Sequence, residues 1–125
     1  MKNILLIEDD PFLIDIYTTK LKEAGFSVEV AIDGQKGLNT LIEKKFDLVL
    51  LDIVLPQIDG WEILEKLKAQ SSKLKNLENL KVMVLSNLSQ KEDVEKAFNL
   101  GAIKYLIKAR YTPSEVVEEI KKILK

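Results

Sequence analysis

Residues 48–56 read LVLLDIVLP: four aliphatic residues, a carboxylate at Asp52, three more aliphatic residues and Pro56. A short apolar run without polar alternation suits a parallel strand covered on both faces. An ionised carboxylate within it is costly to take out of water unless something pairs with it. The partner has to come from elsewhere in the chain, and similar runs show where to look. Residues 4–7, 28–31, 82–85 and 103–107 are also short and nearly all apolar, the last interrupted by Lys104.

Between these runs lie segments of helical period. Residues 11–24 place Leu13, Tyr17, Leu21 and Ala24 on one stripe, with Asp10 as cap and Pro11 in the first turn. Residues 33–44 carry Leu38, Leu41 and Ile42, and residues 61–69 carry Trp61, Leu64 and Leu67. Residues 90–100 open on a capping box, Ser89 with Glu92, and stop at Gly101. Thr112 and Glu115 form a second box, before a helix with Val116, Ile120, Ile123 and Leu124 on its apolar side. Its last lysines, Lys121, Lys122 and Lys125, complement the helix dipole. The polar stretch 70–80, with Leu74, Leu77 and Leu80, reads as an extended helix end or loop. Strand and helix alternate five times. That predicts one α/β domain over residues 1–125, with a parallel sheet, helices on both faces and right-handed crossovers. The fifth helix closes the chain, so no separate output domain is expected within it.

Composition excludes several chemistries. The 125 residues hold 19 basic and 20 acidic side chains, a net charge of −1, which gives no footprint for direct nucleic-acid binding. With neither cysteine nor histidine, Ser-His-Asp and Cys-His catalysis and thiolate metal sites are impossible. Any metal would be a hard ion held by oxygens. Neither glycine-rich nucleotide fingerprint occurs; residues 33–37, DGQKG, lack the spacing. No apolar run approaches the roughly 20 residues a membrane span needs, and Met1-Lys2-Asn3 does not open a secretory leader. A cytoplasmic protein without membrane insertion is the expectation.

The polar residues fall at the carboxyl ends of the runs. The first ends in Glu8-Asp9-Asp10, the third in Asp52, the fourth in Ser86-Asn87 and the fifth in Lys108. In an open sheet of order 2-1-3-4-5, those four ends are contiguous, and ligands bind there, at the switch point. Asp10 reads mainly as a helix cap. Three carboxylates would raise one another's pKa if left alone; a divalent cation and Lys108 offset their charge. Carboxylates with retained waters suit Mg²⁺. Mg²⁺, a lysine and a hydroxyl are the electrostatic parts of phosphoryl transfer, and a carboxylate can itself accept the group.

These residues resemble a response-regulator receiver domain of two-component signalling, of the single-domain, chemotaxis-regulator-like kind. The resemblance spans essentially the whole chain, in order ILLIEDD, LVLLDIVLPQIDGWEIL, VMVLS and GAIKYLIK. It implies the α/β flavodoxin-like fold, a doubly wound five-stranded parallel sheet of order 2-1-3-4-5 with five helices. By the same resemblance Asp52 is the phosphoacceptor. Glu8, Asp9, Asp52 and the backbone carbonyl of Val54 hold Mg²⁺. Ser86 bonds a phosphoryl oxygen, and Lys108 pairs with the phosphoryl group or Asp52. Ser86 and Tyr105 form the switch, while Pro56 and Gly60 shape the turn into the third helix. The implied donor is a histidine kinase or phosphotransfer protein. The implied readout face is helix 4, strand 5 and helix 5, where Lys91, Glu95, Lys104, Tyr105 and Glu119 are candidate contacts. Dimerisation through that face on phosphorylation is a further implication.

Three departures stand out. Ala109 replaces the proline usual after the lysine, so either a cis bond is retained at a cost of about 3–4 kcal/mol or the bond is trans. Asn87 stands where a small residue is usual and is expected to narrow access beside Ser86. The 70–80 stretch is longer than usual. Val54 and Leu88, at the positions that tune phosphoryl loss, are apolar and cannot orient water, which implies a long-lived phosphorylated state. Two other functions remain to be weighed. An aspartyl phosphatase would want a second acid two residues after the nucleophile, where Val54 stands, and a cap. Failure to bind Mg²⁺ would favour a receiver-fold docking module that is never phosphorylated.

Overall fold

The computed structural model describes residues 1–124; Lys125, read above with the helix-end lysines, lies outside them. The strands are β1 (Asn3–Ile7), β2 (Ser27–Ala31), β3 (Leu48–Leu51), β4 (Lys81–Ser86) and β5 (Lys104–Ile107). Helices α1 (Pro11–Glu23), α2 (Gly34–Glu43), α3 (Gly60–Gln70), α4 (Lys91–Asn99) and α5 (Pro113–Ile123) follow them in turn. All strand pairings are parallel, in the order β2-β1-β3-β4-β5. The expected α/β fold and strand order are both present.

The continuous apolar runs have a simple cause. Side chains alternate between the faces of a strand, and here both faces are covered. Leu5, Ile7, Val49, Leu51, Val82 and Val84 point to one side, against Leu38 and Leu41 of α2, Ile63, Leu64 and Leu67 of α3 and Ala97 of α4. Ile4, Leu6, Leu48, Leu50, Met83 and Leu85 point to the other, against Tyr17 and Leu21 of α1 and Val116, Val117 and Ile120 of α5.

Helix starts are fixed by side chains that accept otherwise unpaired N–H groups. Asp10 caps α1, Asp33 caps α2, Asp59 caps α3 and Thr112 caps α5, the last in the expected box with Glu115. The expected box at Ser89 and Glu92 does not form. The chain stays extended through Gln90, with ψ 146°, so α4 begins one residue later. Asp93, not Glu92, then stands three residues past the cap and its Oδ2 accepts the Gln90 N–H at 3.3 Å.

The 70–80 stretch is a built connection. α3 runs to Gln70, the N–H groups of Lys73 and Leu74 return to its carbonyl, and a 3-10 turn covers Lys75–Leu77. Leu77 is buried, and the Asn76 amide donates to the Ile42 carbonyl at the end of α2 at 2.8 Å. Ile103 lies just before β5 and is half exposed. No described peptide bond is cis, so Lys108-Ala109 is trans.

Candidate functional site

The ladder continues past the strand ends and sets the acids in place. The Glu8 N–H donates to the Ala31 carbonyl and the Asp52 N–H to the Ile7 carbonyl, both at 3.1 Å. Asp52 therefore sits one step beyond β3, beside Glu8, one step beyond β1. Behind Asp52 the loop to α3 is drawn tight. Gly60 donates its N–H to the Ile53 carbonyl at 2.7 Å. A Cβ on Gly60 would lie 2.6 Å from both the Asp52 carbonyl oxygen and the Ile53 Cα. Only glycine permits this approach.

Lys108 supplies the partner that Asp52 needs. Its Nζ lies 2.8 Å from Asp52 Oδ2 and 2.7 Å from Glu8 Oε1. Glu8 Oε2 accepts the N–H groups of Asp9 and Asp10, both at 3.1 Å. Glu8 is only 2% exposed and Asp52 7%, while Asp9 faces solvent. Burial pushes the Glu8 carboxyl above its ordinary value, and its bonds to Lys108 and the Asp10 N–H do not fully offset that. For Lys108 burial favours the neutral amine, but the hydrogen bonds to Asp52 and Glu8 outweigh it and hold the ammonium above the ordinary lysine value.

One carboxylate oxygen each from Glu8, Asp9 and Asp52 lies within 4.8 Å of the others. Three hard anionic oxygens at that spacing fit a small divalent cation with waters completing its shell. The three carboxylates and one ammonium sum to −2, which such an ion would neutralise.

Ser86 is fully buried at the end of β4, and its Oγ accepts the Leu88 N–H at 3.3 Å. The Tyr105 hydroxyl donates to the Leu88 carbonyl at 2.6 Å, so this ring is tied inward to the loop that follows Ser86. Val54 donates its N–H to Asp52 Oδ1 at 3.4 Å, and the residue is 64% exposed. Glu8, Asp9, Asp52, Ser86 and Lys108 thus all stand at the carboxyl ends of four adjoining strands, with Tyr105 behind Ser86. Trp61, at the start of α3, takes the Lys96 ammonium of α4 over its ring at 4.5 Å.

Two features were not visible in the sequence. Glu8 is bound as much to backbone as to Lys108, a consequence of how the chain turns after β1. Asn87, the residue expected to narrow access beside Ser86, also ties two loops together: its Oδ1 accepts the Ala109 N–H at 3.0 Å. An asparagine at 87 and a residue with an N–H at 109 were the available signals, but only the fold places them together.

Comparison with known proteins agrees with this geometry. The response regulator receiver domain family matches residues 4–121. The chain is 34% identical over 122 residues to a probable transcriptional regulator, ycf29, of Porphyra purpurea, covering 98% of this chain and 56% of that protein. It is 31% identical to the DNA-binding dual master transcriptional regulator RpaA of Synechocystis, covering 100% of this chain and 50% of the relative. The chain spans about half the length of these curated relatives. A CheY-like response regulator receiver domain protein of Methanospirillum hungatei superposes with a TM-score of 0.86 at 31% identity, over 99% of this chain and 94% of that one. The five-stranded sheet, the crevice at its carboxyl edge and these likenesses together show that the chain belongs to the response-regulator receiver domain family.

Proposed function

We propose that Asp52 is the phosphoacceptor of this receiver and that its modification switches the face formed by α4, β5 and α5. The observation that carries the reading is Lys108 held between Asp52 and Glu8 beside the Asp9 carboxylate. A carboxylate oxygen of Asp52 would attack the phosphorus of a phosphohistidine donor. The P–N bond breaks, the imidazole leaves with its electron pair, and an aspartyl-phosphate remains. Glu8, Asp9, Asp52 and the Val54 carbonyl would hold Mg²⁺, which when bound supplies positive charge to the transferring oxygens.

The chain's own groups do the rest. Lys108 can pass from the Asp52 carboxylate to a phosphoryl oxygen, and the Ser86 hydroxyl, whose Oγ accepts the Leu88 N–H, can donate its O–H to another. Leu88 also anchors Tyr105, so movement at Ser86 is felt on β5. Neither Val54 nor Leu88 offers a group to align water, which supports slow loss of the phosphoryl group and gives no second acid for a phosphatase. The site acts as a signalling switch, not as a turnover enzyme.

The donor would be a histidine kinase or phosphotransfer protein in the cytoplasm, and no described helix is long and apolar enough to cross a membrane. On the readout face Lys104 pairs with Glu119 at 3.1 Å and Lys91 with Glu95 at 3.7 Å, charged groups that a downstream protein or a second copy would meet. Residues 1–125 act as one receiver unit without direct nucleic-acid contacts. The test is intact mass after incubation with acetyl phosphate, with and without Mg²⁺, beside Asp52→Asn. One added phosphoryl group that needs both Mg²⁺ and Asp52 is expected. No addition to the folded protein would overturn the proposal in favour of a docking module.

A further inference from the structure

Lys108 does not sit on β5. It opens a 3-10 turn, Lys108–Arg110, that leaves the strand and leads toward α5. The first N–H groups of any helical turn lack partners inside it, and a side-chain oxygen at the preceding residue normally accepts one. Here that residue is Ile107, whose side chain has no acceptor and makes no capping bond. The turn's own closing bond, from the Tyr111 N–H to the Lys108 carbonyl, is long at 3.4 Å. Left to itself, such a turn holds its side chains loosely.

The missing acceptor comes from the loop after another strand. Asn87, one residue beyond β4, turns its Oδ1 onto the Ala109 N–H at 3.0 Å. Asparagine is among the best residue types for this task because its carbonyl sits on a short, stiff stem. The same loop is fastened a second time, where the Tyr105 hydroxyl meets the Leu88 carbonyl. The two ties fall on either side of Lys108, at residues 105 and 109. Lys108 must also keep its Nζ within reach of Glu8 Oε1 and Asp52 Oδ2 together. That needs a fixed backbone origin as well as a long side chain.

We propose that Asn87 is a positioning residue: it caps from the loop after β4 the turn that carries Lys108, and so aims the ammonium at the acceptor carboxylate. Because Asn87 adjoins Ser86, any shift of Ser86 toward a phosphoryl group pulls on the Lys108 turn through the same bond. The hydroxyl and the ammonium then reach the phosphoryl group as one unit. The kinetic part of this inference rests on the phosphoacceptor reading; the cap itself does not.

Asn87 is exposed, so its variants keep the core intact. Asn87→Leu keeps the shape and removes the acceptor, whereas Asn87→Asp keeps an oxygen in place. Amide exchange of the labelled 125-residue chain should show Ala109 protected in the wild type and in Asn87→Asp, and unprotected in Asn87→Leu. A wild-type Ala109 amide that exchanges freely overturns the cap. With acetyl phosphate and Mg²⁺, read by intact mass, Asn87→Leu should slow phosphorylation about three- to tenfold, the scale of one solvent-exposed hydrogen bond. In a Lys108→Ala background the same change should alter the rate less than twofold. An unchanged rate in Asn87→Leu, or an equal loss without Lys108, overturns the positioning role. A wild type that takes up no phosphoryl group while Ala109 is protected overturns the phosphoacceptor reading and leaves the cap standing.

Discussion

Replacing Lys108 with methionine removes the ammonium shared by two buried carboxylates while keeping the length of the side chain. Lys108 is 13% exposed, with contacts of 2.7 Å to Glu8 and 2.8 Å to Asp52. Breaking a buried pair from one side costs roughly 3–5 kcal/mol, because the other charge stays behind. The remaining carboxylates have an escape that sets a ceiling. One of them, foremost Glu8, can take up a proton. From the ordinary glutamate value of 4.5, protonation at pH 7 costs about 2.5 × 1.36, or about 3.4 kcal/mol. At pH 5 the same step costs about 0.7 kcal/mol. The sign follows from linkage: a carboxyl raised in the folded state binds more protons there, so stability falls as pH rises above 4.5. We expect Lys108→Met to lose about 2–3 kcal/mol at pH 7 and under about 1 kcal/mol at pH 5. Urea unfolding followed by Trp61 fluorescence measures both, provided the slope with denaturant is unchanged. Mg²⁺ should restore most of the loss at pH 7, since an ion at 100 times its Kd adds about 2.7 kcal/mol. A loss below about 0.5 kcal/mol at pH 7, or one of equal size at pH 5, would refute the reasoning.

Gly60→Ala places a methyl group against backbone that cannot yield, so a loss of about 1–3 kcal/mol in urea is expected; a loss under about 0.5 kcal/mol would show that the loop gives way. Gln57 holds φ 72° after Pro56, a left-handed conformation that costs an L-residue about 1–2 kcal/mol. Gln57→Gly should therefore raise stability by about 0.5 kcal/mol once the extra freedom of the unfolded glycine is counted, and a decrease in the urea midpoint would contradict this. Hydrogen bonds from Lys104, then Lys122, hold the Glu119 carboxyl below its ordinary value. Its contribution is present at neutral pH and disappears as pH falls below 4.5 toward the folded pKa. Glu119→Gln should cost under about 1 kcal/mol at pH 7, given the exposure of its partners, and progressively less as pH falls below 4.5; a cost that does not shrink as pH falls would assign the effect to packing.

The fold was legible because both faces of the sheet are covered. Runs such as residues 48–51 then carry no polar residue to blur them, and the carboxylates and lysine stand out at their ends. The caps Asp10 and Thr112 were legible because each acts within its own segment. The cap of α4 was misplaced because Ser89 and Gln90 offer equivalent spacings, to Glu92 and Asp93, and only backbone conformation chooses between them. The trans bond after Lys108 and the turn of Asn87 toward Ala109 depend on two loops meeting in space, which no pattern within either loop encodes. The 70–80 stretch looked irregular because its order comes from outside itself, as with the Asn76 bond to the Ile42 carbonyl.

The tight packing behind the loop after Asp52 has a consequence for engineering. Gly34, the first residue of α2, donates its N–H to the Pro56 carbonyl at 3.1 Å, and a Cβ there would lie 1.8 Å from the Ile58 carbonyl oxygen. The loop after Asp52 is thus moulded on the start of a helix some twenty residues earlier. Transplanting residues 52–60 into another scaffold would carry half a mould. A graft that keeps Asp33-Gly34 with them should preserve the loop's shape, and drift at either segment should be accepted only when the other changes with it.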